Sequence, residues 1–348
     1  MSELVSVIVP IYNGKKHIRN CVKCLCNQTY KPLEVIFIND GSTDETEDIL
    51  KKMFVELESR DIKYKYLTES NAGAAAAVNK ALKEVSGKYL MLYDVDDLIM
   101  PDCIKMKADF LSQNPEYGMV RNNGYYDKVS NINDNSYLFV RKDSEKAEEY
   151  IFESILLGRT NNWSASYMIV TEKLFKHLNN KEIYVSKYGQ NMQIMLPVAY
   201  HYKCGFIDKP LMRYVNHGKS VSHTNNYSEQ LNLMNGFEEN RIEIINGLDL
   251  CENEKEMWIE KVKRFYMHQR VRFAFQIRNK QMMEEFYREL ELFNDIHFID
   301  KWYKFCVQIP LVNTTVIFFN KILGIIDAII QKIQGITFRK NEYRFDME

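Results

Sequence analysis

The chain has 348 residues, 46% of them hydrophobic and 27% charged, with a net charge of −1. That length holds one large domain or two ordinary ones, and the near-neutral charge makes no case for a nucleic-acid partner. Seven cysteines without framework spacing predict free thiols in a reducing compartment. Met1 to Glu3 shows no signal-peptide pattern, which predicts a cytoplasmic location.

The first hundred residues alternate strand and helix. Leu4 to Val9 reads as a strand that stops at Pro10, and a helix follows from about Lys15 to Asn27. Cys21, Cys24 and Cys26 fall on that helix; without a second Cys or His pair at zinc spacing they read as buried thiols. Leu33 to Ile38 is a second strand and Asp40-Gly41 a turn pair. Ser42 with Glu45 forms a capping-box pattern opening a helix to about Ser59. Ile62 to Leu67 is a third strand, Asn71-Ala72-Gly73 a turn, and Ala74 to Val85 an alanine-rich helix. The apolar run Tyr89 to Tyr93 is a fourth strand and leads into Asp94-Val95-Asp96-Asp97. Alternation along a strand puts Asp94 and Asp96 on one face, at the sheet edge where ligands of open α/β sheets bind. Two carboxylates there repel each other unless a cation or hydrogen-bond donors compensate, and a divalent metal is the natural compensator. Strands alternating with helices predict a mostly parallel sheet with helices on both faces.

Pro101 sits at the N1 position of a helix over Asp102 to Gln113. Short strand-like runs follow at Tyr137 to Val140, Ser166 to Val170 and Gly205 to Ile207. From about Tyr227 the pattern is mostly helical. The expected division is 1–225 for the α/β domain and 226–348 for a helical C-terminal region.

The four loops after the first four strands carry Pro10-Ile11-Tyr12-Asn13, Asn39-Asp40-Gly41-Ser42-Thr43-Asp44, Glu69-Ser70-Asn71-Ala72-Gly73 and the Asp cluster. In a parallel sheet they share one edge. Their aromatic, amide, carboxylate and backbone N–H groups suit a nucleotide: Tyr12 to stack, Asp40 to accept from a base N–H, Gly73 and the following helix N-terminus near phosphate, and Asp96 on a metal.

These four ordered motifs resemble the family 2 glycosyltransferases, of GT-A (Rossmann-like) fold, over residues 4 to about 225. The resemblance implies a nucleotide-sugar donor, usually a UDP-sugar, transfer with inversion, and a Mn²⁺ or Mg²⁺ cofactor. It assigns Pro10, Tyr12, Asp40, Asn71 and Gly73 to the nucleotide, Asp94 to the ribose or donor sugar, and Asp96 to the metal, with His217 as a further metal or diphosphate ligand and His223 less so. It further implies a glycan or lipid-linked acceptor of bacterial cell-surface polysaccharide type.

Two departures stand out. Val78 precedes Asn79 where many members carry Arg, leaving Lys80 or Arg121 to meet the donor phosphate. Where the family places an acidic pair holding the general base, this chain has Gln190-Asn191, and an amide takes no proton near neutral pH. Asp97 and Glu182 are the alternative carboxylates, and an acidic acceptor would need little base. The rival reading is a nucleotide-sugar-binding subunit of a synthase complex without turnover.

Seven Lys or Arg and several aromatics lie between Ile259 and Met283. Residues 313–335 then form an amphipathic pattern with a wide apolar face, interrupted by Lys321, Asp327 and Lys332. Together they predict an anionic membrane surface on the cytoplasmic side. Packing on the chain's own core or on a second subunit, in a homodimer, is the alternative.

Overall fold

The structure is a computed structural model that describes residues 2–128, 137–216 and 226–309. They fall in two compact units, one holding 2–216 and the other 226–309.

The first unit opens with β1 (Val5–Ile11), α1 (Ile18–Cys26), β2 (Leu33–Asp40), α2 (Thr46–Ser59), β3 (Lys63–Glu69), α3 (Ala74–Leu82) and β4 (Tyr89–Leu92). It continues with β5 (Leu98–Ile99), α4 (Cys103–Gln113), β6 (Tyr117–Lys128), β7 (Tyr137–Leu138), α5 (Asp143–Lys146), α6 (Phe152–Leu156), β8 (Tyr167–Val170), α7 (Thr171–Phe175), α8 (Gln190–His201) and β9 (Lys203–Asn216). Nine described strands form one sheet in the order β3-β2-β1-β4-β8-β6-β9-β5, with β7 against β6. β1 pairs parallel with both β2 and β4, and β2 with β3. β1 and β4 read as mostly apolar runs because both of their faces are covered; the one hydroxyl in β1, Ser6, is buried and bonded to Glu34. β3, at the edge, tolerates the polar sequence KYKYLTE.

Three local expectations are corrected. β1 runs through Pro10 to Ile11, opposite Asn39. Its pairing with β4 ends at Ile8, whose carbonyl accepts Tyr93 N–H, so the N–H that Pro10 lacks would face the side where the ladder has stopped. The N-cap position of α2 is Glu45, and the first helical N–H, that of Thr46, is accepted by Asp44 Oδ1 at 3.0 Å and not by Ser42. The strand expected through Tyr93 ends at Leu92, and a turn closed by Asp97 N–H on the Asp94 carbonyl (3.1 Å) carries the acidic cluster. Cys21, Cys24 and Cys26 are free thiols on the covered face of α1.

The second unit comprises α9 (Tyr227–Gly247), α10 (Glu252–Gln276), α11 (Lys280–Leu292) and α12 (Phe298–Gln308). Met267, Val271, Phe275, Met283, Leu290 and Val307 form its core. The basic run on α10 is partly neutralised: Arg264 pairs with Glu260 and Asp295, and Arg270 with Glu238. No helix among the described residues is long and apolar enough to cross a membrane. The 313–335 pattern lies outside the described residues.

His268 of α10 sits between two carboxylates, with Nδ1 2.9 Å from buried Asp300 and Nε2 3.4 Å from Asp295. The Asp300 contact first, and Asp295 after it, raise the imidazole above its ordinary value against the cost of burial. A raised histidine stabilises the folded state fully below its unfolded value near about 6.5, and that contribution is lost as pH rises through the folded value. Hydrogen exchange of α10 and α12 amides should therefore show faster opening as pH rises above about 6.5, with the trend absent in His268→Gln. The same pH trend in both proteins would assign it to other groups.

Candidate functional site

Three of the sheet-edge loops are stitched together by side chains bonding to backbone. Asn13, in the left-handed region at φ 50°, donates its N–H to Ser42 Oγ (3.0 Å), and its Oδ1 accepts Thr43 N–H (2.8 Å). Asn39 Oδ1 accepts Ser42 N–H (2.9 Å). Asp40, only 4% exposed, accepts Ala72 N–H at 2.7 Å and Gly73 N–H at 3.0 Å, one on each carboxylate oxygen. The loop after β2 therefore holds the loop after β3 in place. Gly41 lies at the contact with φ +66°, and a Cβ there would stand 2.7 Å from the Asn71 backbone nitrogen. Gly73, at φ +92°, caps α3 with open space around it. Tyr12 is 51% exposed, Asn71 is exposed and Pro10 half-buried, so these groups remain for a ligand.

The acidic turn sorts its three carboxylates by depth. Asp97 is buried; its Oδ1 accepts Val215 N–H (3.3 Å) and its Oδ2 has no partner among the described residues. Asp94 and Asp96 are half-buried. Burial first, then the adjacent acidic groups, push Asp94 and Asp97 well above the ordinary carboxylate range. Ser164 within hydrogen-bonding reach pulls Asp94 the other way. Crowded oxygen donors, an orphaned carboxylate oxygen and a raised carboxyl describe excess negative charge, and they fit a hard divalent cation. As an acceptor base Asp97 is ruled out by position: at 2% exposure it is closed to an acceptor hydroxyl.

The third component is the N-terminus of α8, which starts after Gly189 at φ 88°. Asn191 Oδ1 accepts from Ser164 Oγ (3.0 Å) and from the Tyr167 hydroxyl (3.3 Å). Both donors hold the carbonyl end, so the amide's –NH₂ end is the one left to meet a ligand. Ser164 Oγ thus lies within reach of both Asp94 and Asn191, its single proton serving one of them at a time, and it joins the acidic turn to α8. The segment entering α8 is pinned by Asn79, which bonds both Ile183 N–H (2.7 Å) and Ile183 C=O (2.8 Å), and by Gln193 to the Tyr184 carbonyl (2.8 Å). Gln190 is half-buried beside it.

Other candidates lie elsewhere. Glu182 is on the surface, paired with Lys83. Lys80 is tied to the Thr68 carbonyl. Arg121 is fully buried against Thr160 and the Phe206 ring, so it does not reach a phosphate in this arrangement. His217 and His223 lie outside the described residues. Sequence reasoning missed Ser164 and Tyr167. They follow the Asp cluster by some 70 residues, Ser164 in a loop (Asn161-Asn162-Trp163-Ser164) without a recognisable motif and Tyr167 at the start of the β8 strand.

Residues 6–183 match the family model described as Glycosyl transferase family 2. A curated relative, glycosyltransferase GlyG of Streptococcus pneumoniae, is 30% identical over 190 residues, which cover 53% of this chain and 61% of the relative. The chain thus spans less than two thirds of that relative's length. Among solved structures, residues 1–349 of S. aureus TarS in complex with UDP-GlcNAc align at TM-score 0.56 and 19% identity, covering 81% of this chain and 80% of that one. A mannosyltransferase from Pyrobaculum calidifontis in complex with GDP-Man and Mn²⁺ aligns at TM-score 0.50 and 14% identity, covering 92% and 88%. These likenesses establish the GT-A fold.

The Gly41 contact generates a test of the stitched loops. Gly41→Ala meets both a left-handed backbone and a backbone clash, so it should cost about 1–3 kcal/mol, read as a lowered denaturation midpoint. Gly73→Ala meets only the first and should cost less. Equal costs would show that the Asn71 contact is not a constraint.

Proposed function

The chain belongs to glycosyl transferase family 2, and from that premise we propose that it moves a sugar from a nucleotide sugar, most readily a UDP-sugar, to a glycan or lipid-linked acceptor with inversion. The observation that carries this reading is the meeting of four loops at one sheet edge, with the acidic turn of β4 joined through Ser164 to the start of α8.

In this reading Pro10 and exposed Tyr12 flank the base, and Asp40 acts by fixing the Ala72-Gly73 backbone against which the nucleoside lies. Asn71 and the α3 N-terminus, opened by Gly73, face the phosphates. Asp94 meets the ribose or donor sugar. Asp96 would hold Mn²⁺ or Mg²⁺, with His217 as a second candidate; such an ion supplies charge stabilisation for the departing nucleoside diphosphate. Asn191 presents N–H donors that hold an acceptor oxygen in line, and Gln190 extends that donor surface. Because neither amide takes a proton, an acceptor that carries its own anionic oxygen suits the site best. The reading without turnover has one observation behind it, the hydroxyl-locked Asn191 amide where a base would stand. Release of free nucleoside diphosphate separates the two.

Melting curves with UDP, GDP, CDP and dTDP, each with and without Mn²⁺, test the donor site. UDP with Mn²⁺ should stabilise the wild type by about 2.7 kcal/mol at a hundredfold excess over Kd. Asp96→Ala should abolish the metal-dependent part. No shift with any nucleotide would overturn the reading.

A membrane-surface acceptor draws support from α12, where Phe298 (82% exposed), Trp302 (38%) and Phe305 (47%) share one stripe. The protein should co-sediment with anionic vesicles, and Phe298→Asp with Trp302→Asp should lower the bound fraction. Unchanged sedimentation would remove α12 from the contact.

A further inference from the structure

Lys107 of α4 is fully buried, and the proposed chemistry makes no use of it. Its contacts are the Ala165 carbonyl at 2.6 Å, Met91 Sδ at 3.2 Å and the Cys103 thiol. Among the described residues none of its partners is a carboxylate, so Lys107 is desolvated without an ion partner, and burial pushes it below the ordinary lysine range. The residue it holds is equally unusual. Ala165 stands at φ 60°, in the left-handed region that an alanine side chain disfavours. Its own N–H is donated to the Leu92 carbonyl at 2.7 Å, the last residue of β4 before the acidic turn.

On either side of Ala165 stand two fully buried serines. Ser166 Oγ donates to the Trp163 carbonyl (2.6 Å) and accepts from Asn161 Nδ2 (3.1 Å), closing the turn on itself. Ser164 Oγ is the group that reaches Asn191 Oδ1 and Asp94. The turn therefore has one outward product, the placement of the Ser164 hydroxyl, and three buried anchors: Ala165 N–H on β4, Ala165 C=O on Lys107, and Ser166 C=O, which accepts Asn122 N–H of β6 at 2.8 Å.

We propose that Lys107 is a positioning residue for sugar transfer. By clamping the left-handed Ala165 carbonyl it holds the Ser164 hydroxyl between Asp94 on the donor side and Asn191 on the acceptor side. The proposal rests on the transferase reading above. Its chemistry involves no proton lost or gained at Lys107; the ammonium acts as a fixed donor to a carbonyl, and its effect reaches the reacting groups only through Ser164.

The test is a double-mutant cycle on the full chain: wild type, Ser164→Ala, Lys107→Met and the double variant. Turnover is followed as nucleoside diphosphate released from a panel of UDP-, GDP-, CDP- and dTDP-sugars with Mn²⁺, with water and, separately, with inorganic phosphate as acceptor. Methionine keeps the length of the lysine stem and removes the buried charge, so the melting temperature should stay within about 3 °C of wild type. Each single change should lower kcat between about 10- and 100-fold, the scale of a misplaced reacting group, and leave the donor KM within about twofold. The double variant should be no worse than the worse single one, because Lys107 has nothing to act through once Ser164 is gone. Wild-type kcat in Lys107→Met, or losses that multiply in the double variant, would overturn the proposal and leave the transferase reading standing. A wild type that releases nothing from any donor would sink the transferase reading, and this proposal with it. Should Lys107→Met fail to fold, Lys107→Gln, which keeps an N–H for the Ala165 carbonyl, should retain near-wild-type kcat, and a Gln variant as impaired as Ser164→Ala would count against the clamp.

Discussion

Three carboxylates in four residues, at the end of a buried strand, are the constraint around which this site is organised. Two bare carboxylates about 4 Å apart repel by about 4 kcal/mol at an effective dielectric near 20. The chain contains that repulsion by giving the three acids different surroundings. Asp97 turns inward and holds the β9 backbone through Val215. Asp94 lies against Ser164, and Asp96 stays half-buried. β5, only two residues long, pairs with Arg213 and Met212 of β9 immediately after the turn, so the acids are locked between β4 and β9 and cannot spread apart. Residual repulsion of this kind is the usual sign of a place prepared for a cation.

A second tension runs through the far half of the sheet. β6 carries Arg121, Asn122, Asn123 and Asp127, all buried. Two of them are compensated from a distance: Asn123 by the Val140 carbonyl and Asp208, both at 2.8 Å, and Asp127 by Arg213 at 2.7 Å, in a pair that is almost wholly desolvated. Removing one member of such a pair is far more costly than the pair's net worth. These bonds fix the register of β6 on β9, and hence the height at which Val215 meets Asp97.

That is also why the sequence was legible in its first hundred residues and opaque beyond them. Strand-helix alternation, the Asp40-Gly41 and Ala72-Gly73 turns and the acidic cluster are local signals, and local signals give the parallel β3-β2-β1-β4 half. β6, twelve residues long, was invisible because Arg121, Asn122, Asn123 and Asp127 look like loop residues until their partners some 20 to 90 positions away are known. β9 was read as three residues and is fourteen for the same reason. At the site, the Gln190-Asn191 pair could be found by spacing, whereas Ser164 and Tyr167, which orient Asn191, could not. The acidic cluster was legible as chemistry but not as geometry: the carboxylates are placed by a turn, not by alternation on a strand.

The amide at Asn191 is best understood together with its donors. A carboxylate there would accept from Ser164 and Tyr167 just as well, and would be left with negative charge facing the acidic turn. Asparagine keeps both hydroxyl contacts and reverses the polarity of the outward end, from acceptor to donor. Next to a turn already burdened with three acids, that exchange lowers the electrostatic cost of the site and changes what it can hold, since an N–H pair attracts an oxygen that a carboxylate would repel. In the proposed reading, an amide in place of a carboxylate gives up a base and gains an anion-tolerant face, and the hydroxyls of Ser164 and Tyr167 behind Asn191 keep it from turning back.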